Sequence, residues 1–237
     1  MRAVLAALVI AATVAGTLAG CSAAPAGETA TALTTTQAER LAVTRFRNFD
    51  AGVRSVTLEI PGTEAGDLRV TGWFDYEKGV GYGSVTAAAA PAGLVWWNAT
   101  TIATRSIAID TAPFPLPADD WQSGTLDPSS TSLANALALV ASLGSDRPEN
   151  PQLLAQSDAA YLRSDTVGPT VVDVFLGPSA ADSSTAAPAA ARARYWITDT
   201  GALERFESPA SSSTKKRMTF DFGDASGITI PEKTPGE

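Results

Sequence analysis

The side chains able to do chemistry are few here, and what is missing decides more than what is present. The 237-residue sequence holds no histidine and one cysteine, Cys21. Without imidazole there is no Ser-His-Asp or Cys-His site and no histidine-ligated zinc. A lone cysteine excludes an internal disulfide framework. The closest acidic groupings, Asp119-Asp120 and Glu204 with Glu207, sit in polar stretches and read as solvated carboxylates, not as an acid–base pair. The basic run Lys215-Lys216-Arg217 reads as a strand edge guarded by charge. Gly79, Gly81 and Gly83 resemble part of a nucleotide loop, but no helix start follows them, so a strand with little side-chain bulk is expected. A net charge of −8 offers no footprint for nucleic acid. No catalytic residue, metal ligand or cofactor is assigned, and the composition argues against an enzyme.

Cys21 is the exception, because its place in the chain gives it a chemistry. A basic Arg2 precedes the apolar run Ala3 to Ala19, which ends in Leu18-Ala19-Gly20-Cys21. Small residues, then Cys, immediately after an apolar run look like a bacterial lipobox, in which the Cys is acylated and becomes the first residue of the mature chain. Cleavage there would remove one basic residue and no acidic one, taking the charge from −8 to −9. Attachment would then rest on the acyl groups and not on attraction to anionic lipid. The expected location is the extracytoplasmic face of the cell membrane.

The elements that follow must form the body of the protein. Thr36-Gln37-Ala38-Glu39 reads as a capping box opening a helix that ends near Asp50-Ala51-Gly52. Val56, Leu58 and Ile60, then Leu68, Val70 and Phe74, alternate with polar residues as one-sided strands do. Further strands are expected at 80–86, 94–97, 102–107, 160–164, 170–176, 194–199, 203–208 and 217–222, with Thr200-Gly201 as a hairpin turn. A second helix is expected over 131–143, striped by Leu133, Leu137 and Val140, and a short one at 151–156. Adjacent Trp96 and Trp97 must point to opposite faces of their strand, so one of them is expected at the rim packed by a loop, with a second surface, a ligand or a membrane as the alternatives. Nine or ten short strands and few helices suggest an α+β domain, an antiparallel sheet with helices on one face.

The order of elements resembles the LppX/LprG family of actinobacterial lipoproteins. The residues that carry the resemblance are "VRSVTLEI", "DLRVTGWFDY", the helix "LANALALVASL" before "VVDVFLG", and the end "ARYWITDTGALERFES…KKRMTFDFGDASGITIPE". The resemblance implies a LolA-like fold, a curved antiparallel half-barrel with helices packed over its concave face. It also implies a cavity holding an acylated lipid or glycolipid, with an envelope transporter or partner protein as a further partner. The expected organisation is a signal peptide over 1–20, a flexible tether over 21–35, a lipid-binding domain over 36–231 and a tail over 232–237. Candidate lining residues are Val56, Leu58, Val70, Leu133, Leu137, Val140, Val172 and Val174, taken from the apolar faces of strands and of the mid-chain helix. The alternative is an envelope scaffold or sensor of the same fold with no bound lipid.

Overall fold

The computed structural model describes residues 29–63, 66–87, 90–179, 187–211 and 216–235. The lipobox and Cys21 lie outside the described residues. Twelve strands form one antiparallel sheet: β1 (Thr31–Ala32), β2 (Val53–Thr63), β3 (Gly66–Asp75), β4 (Val80–Ala87), β5 (Ala90–Trp97), β6 (Thr101–Arg105), β7 (Gln122–Thr125), β8 (Ala160–Val167), β9 (Thr170–Leu176), β10 (Arg194–Ile197), β11 (Leu203–Pro209) and β12 (Arg217–Asp224). Their spatial order is β1-β8-β9-β10-β11-β12-β2-β3-β4-β5-β6-β7, so the sheet stays open, with β1 and β7 at its edges. Three helices accompany it: α1 (Thr35–Asp50), α2 (Ser132–Ser142) and α3 (Pro151–Gln156). The architecture is the expected α+β half-barrel.

Register explains the core. Val56 and Leu58 of β2 stand opposite Gly72 and Val70 of β3, and opposite Phe222 and Phe220 of β12. Because side chains alternate along a strand, this parity continues around the sheet as a single apolar face. On it, Phe175, Tyr195, Phe206 and Phe220 occupy matched positions of β9 to β12. Their rings meet edge to face, with centroids 5.1 Å apart for Tyr195–Phe206 and 5.3 Å for Phe206–Phe220. Helices α1 and α2 pack on this face and share its core.

The opposite face is also buried, in two places. Val80, Tyr82, Leu94, Trp96 and Ala103 form one cluster with Ala112 and Ile230. The Pro-rich segment that interrupts the sheet signal is its cover: Tyr82 donates to the Pro113 carbonyl at 3.0 Å and Ser84 to that of Asp110 at 2.9 Å. From the C-terminal segment the Pro231 carbonyl accepts Trp96 Nε1 at 3.0 Å. Trp96 and Trp97 thus face opposite ways as expected, but neither is exposed; each fills its own core. The second opposite-face cluster gathers Leu162, Val172, Val174, Leu176 and Trp196.

Three local readings need correction. The capping box of α1 is Thr34 with Gln37, not Thr36 with Glu39. Starting there lets Leu33 pack on the core just before the cap, as a hydrophobic staple does. Thr31–Ala32, in the stretch expected as tether, pairs with β8. Edge strand β7, with the sequence QSGT, has no apolar alternation and was not foreseen. Thr131 alone caps α2, accepting from the Ala134 N–H. α3 coincides with its expected span.

The glycines of β4 make room for a tryptophan. Gly81 stands opposite Trp97, and a Cβ there would overlap the indole atoms Cζ2 and Cε2. Gly81→Ala therefore forces Trp97 to move within a packed core and should cost about 1–3 kcal/mol. Gly124→Ala in β7, where a Cβ meets nothing within 4 Å, should be near neutral. Urea titrations of the two variants check this; equal stabilities would contradict it.

Candidate functional site

The candidate site is the apolar contact between α2 and the sheet. Val56, Leu58, Val70, Leu137 and Val140 lie in one core cluster, with Leu133 packed at its margin. The structure thus brings six of the eight expected lining residues together. It places Val172 and Val174 elsewhere, because β9 turns Asp173 and Phe175 toward the helices. The strand TVVDVFL is apolar at both parities, so alternation alone could not assign its faces. The aromatic residues Phe175, Tyr195, Phe206, Phe220 and Phe222 were missed. Their signal was available: aromatic residues at matched positions of successive hairpin strands.

The face is closed in this state. Leu58, Val70, Leu137 and Val140 are 0% exposed. A bulky residue at 137 would therefore test core packing before it tested ligand uptake.

The way the two helices are held differs. α1 carries Glu39, Arg40, Arg45, Arg47 and Asp50, and its Arg40 pairs with Asp173 of β9. Arg45 pairs with Glu149 at 3.3 Å. α2 has the sequence SLANALALVAS, without a charge. Its inner side buries Ala134, Ala136, Leu137 and Val140, while Leu133, Ala138, Leu139 and Ala141 remain partly exposed. Among the described residues no hydrogen bond or ion pair joins residues 132–142 to the sheet. Polar contacts hold only the end of the helix: Asn48 Nδ2 donates to the Leu143 carbonyl at 2.9 Å and Arg45 Nη2 to that of Gly144 at 3.3 Å.

Asn48 belongs to a buried network around Arg54. The Arg54 guanidinium donates to Asn48 Oδ1 at 3.1 Å, to the Gly223 carbonyl at 3.0 Å and to the Leu203 carbonyl at 3.1 Å. It also sits 5.9 Å from the centroid of the Phe222 ring. A cavity of about 420 Å³ opens beside it, lined by Ala51, Val53, Asp224 and the segment 225–228. Burial pushes the Glu204 carboxyl above its ordinary range, with Arg54 pulling it down and Asp224 raising it further. Glu204 and Glu207 do not act as a pair: Glu207 binds Arg217 at 2.9 Å. Asp120 likewise lies beside Arg105, at 3.6 Å. Lys216 lies 4.0 Å from Asp67.

Two polar atoms within the face have no partner. Tyr76 Oη and Trp97 Nε1 are both buried, and neither makes a hydrogen bond. Their rings flank Phe74, with centroids 4.8 Å and 5.7 Å from it. Burial raises the Tyr76 phenol well above its ordinary value, against the pull of Arg54.

No family model matches the chain and no curated protein matches it. Among solved structures it resembles a DUF1329 family protein from Desulfovibrio piger, at 12% identity and a TM-score of 0.31, over 81% of this chain and 93% of that one. It also resembles a domain ascribed to an outer membrane lipoprotein-sorting protein from Vibrio parahaemolyticus, at 12% identity and a TM-score of 0.28, over 83% and 95%. At such scores neither likeness carries an argument about function. The class that fold and site define is an open antiparallel half-barrel with an uncharged helix lying over its apolar face.

Asn48→Ala would strip Arg54 of one acceptor and the Leu143 carbonyl of its donor, at roughly 2–4 kcal/mol. The thermal midpoint should fall by about 5–10 °C; an unchanged midpoint would contradict the network's role. Glu204 gives a pH signature. Its raised pKa means that the folded state holds the proton more tightly than the unfolded state. Its contribution is therefore present at acid pH and lost as pH rises through the folded pKa. The stability of Glu204→Gln relative to wild type should rise from acid to neutral pH in paired denaturant titrations, and a constant difference would refute the assignment.

Proposed function

We propose that this protein is an envelope lipoprotein, held at the extracytoplasmic face of a membrane through acylated Cys21, that takes up an acylated lipid or glycolipid between α2 and the apolar face of its sheet. One observation carries the reading: α2 bears no charged residue on either side, and its only polar residues are Ser132, Asn135 and Ser142. A helix that covers a core beside water ordinarily carries charge outward, as α1 does. An uncharged helix in that position suits an apolar partner on either side of it.

The magnitudes allow uptake. Lifting α2 exposes Leu137 and Val140, at about 1.5–3 kcal/mol each. An acyl chain gains about 0.8 kcal/mol per buried CH₂, so some eight methylenes offset the opening. No catalytic group takes part. The sequence resemblance to the LppX/LprG family supports the same reading, with Val56, Leu58, Val70, Leu133, Leu137 and Val140 as the lining.

The rival is an envelope scaffold or sensor without lipid, and the closed packing of the face favours it. Native mass spectrometry of the full-length protein, with organic extraction of whatever co-purifies, separates the two. We expect about one non-covalent lipid per chain. The doubly charged variant Asn135→Glu/Ser142→Glu, on the side of α2 away from the core, should lower lipid occupancy at least fivefold with its thermal midpoint kept. A lipid-free mass for the wild type, after incubation with membrane lipids, would support the scaffold.

A further inference from the structure

A buried donor with no acceptor is rare in a folded protein, and each typically forfeits about 1–3 kcal/mol. Trp97 is 0% exposed and Tyr76 5%, and both sit in the face that α2 covers. The Tyr76 ring lies against Gly144, just beyond the end of α2, so close that a Cβ on Gly144 would overlap it. Trp97 is fixed over Gly81 by the β4–β5 register. Two polar hydrogens are therefore held at set positions beside Phe74, in a predominantly apolar surface.

We propose that Trp97 Nε1 and Tyr76 Oη are the polar anchor of the ligand site, and that they donate hydrogen bonds to the ester carbonyl oxygens of a bound acyl lipid. The inference rests on the uptake reading above and narrows it from any apolar ligand to one bearing carbonyl acceptors in its hydrophobic part. Both side chains are donors facing an apolar surround, so the complementary group is an uncharged acceptor. A carboxylate is disfavoured, because the nearby cations are already engaged, Arg54 by three acceptors and Arg45 by Glu149 and the Gly144 carbonyl. A carbonyl oxygen carries no such penalty, and chains on either side of it can replace the contacts that α2 gives up. The two donors would fix depth and orientation, while the hydrocarbon supplies the affinity.

The test compares dioleoylglycerol with its dialkyl ether counterpart, which keeps the chains and lacks the carbonyls. Purified full-length protein is titrated with each by native mass spectrometry, as wild type, Trp97→Phe and Tyr76→Phe. The expected result is a wild-type preference for the ester of at least fivefold, since one hydrogen bond is typically worth about that factor. Each variant should reduce the preference while leaving ether binding within about twofold, and the lipid-free thermal midpoint of Tyr76→Phe should hold or rise. Equal binding of ester and ether by the wild type would overturn the anchor and leave the uptake reading standing. So would a variant that keeps the full preference. Tyr76→Phe, which removes only the hydroxyl, melting well below wild type when lipid-free would point to an internal water as the partner and would also overturn it. Binding of neither lipid would remove the uptake reading, and the anchor with it.

Discussion

A guanidinium inside a protein must have its hydrogen bonds met, and meeting them at Arg54 fixes where the helices sit. Arg54 begins β2 at the middle of the sheet and is 5% exposed. Its acceptors come from the start of β11, from β12 and from α1, through Asn48. Asn48 then passes the constraint to α2 by donating to Leu143. One buried charge thereby ties the centre of the sheet to both helices. Moving any of these elements would leave a donor or carbonyl unpaired, at a cost larger than most single contacts supply.

The constraint acts at only one end of α2. Beyond Leu143 and Gly144 the helix meets the sheet through methyl and methylene groups, which are non-directional and replaceable by any other hydrocarbon. The proposed opening uses this asymmetry: polar bonds fix the C-terminal end of α2, and lifting the rest of the helix would strand no hydrogen bond to the sheet. On the far side of the sheet the pattern differs. There the Trp96, Tyr82 and Trp121 polar atoms are all satisfied by carbonyls of the covering segments. Unsatisfied donors occur on the face beneath the helices, where a partner is proposed to enter.

Much of this was legible in the sequence. One-sided strands such as VRSVTLEI declared their faces, since polar residues held every second position. α3 forms over the expected span 151–156, and the hairpin turn expected at Thr200-Gly201 is present, with Gly201 in the left-handed region at φ +88°. Faces became illegible where both sides of the sheet are buried. β9 is apolar at both parities, and only its pairing with Tyr195 and Trp196 decides that Phe175 faces the helices while Val174 does not. β7 was invisible because an exposed edge needs no apolar pattern. The burial of Arg54 and Asn48 could not be read from the sequence, for it depends on carbonyls brought together from distant segments. The two unpaired donors could not be foreseen either; absence of a partner is a property of the packed core alone.

The central claim is that α2 is held to the sheet by apolar contact and yields to lipid. Hydrogen exchange of the backbone amides measures this directly, comparing residues 132–142 with β2 and β3 in lipid-free protein and after addition of dioleoylglycerol. The account predicts that α2 exchanges at least a hundredfold faster than those strands when lipid-free, and that lipid changes its protection while leaving the strands as they were. If α2 exchanges as slowly as β2 and β3, with lipid and without, the helix is part of a fixed core and the account is wrong.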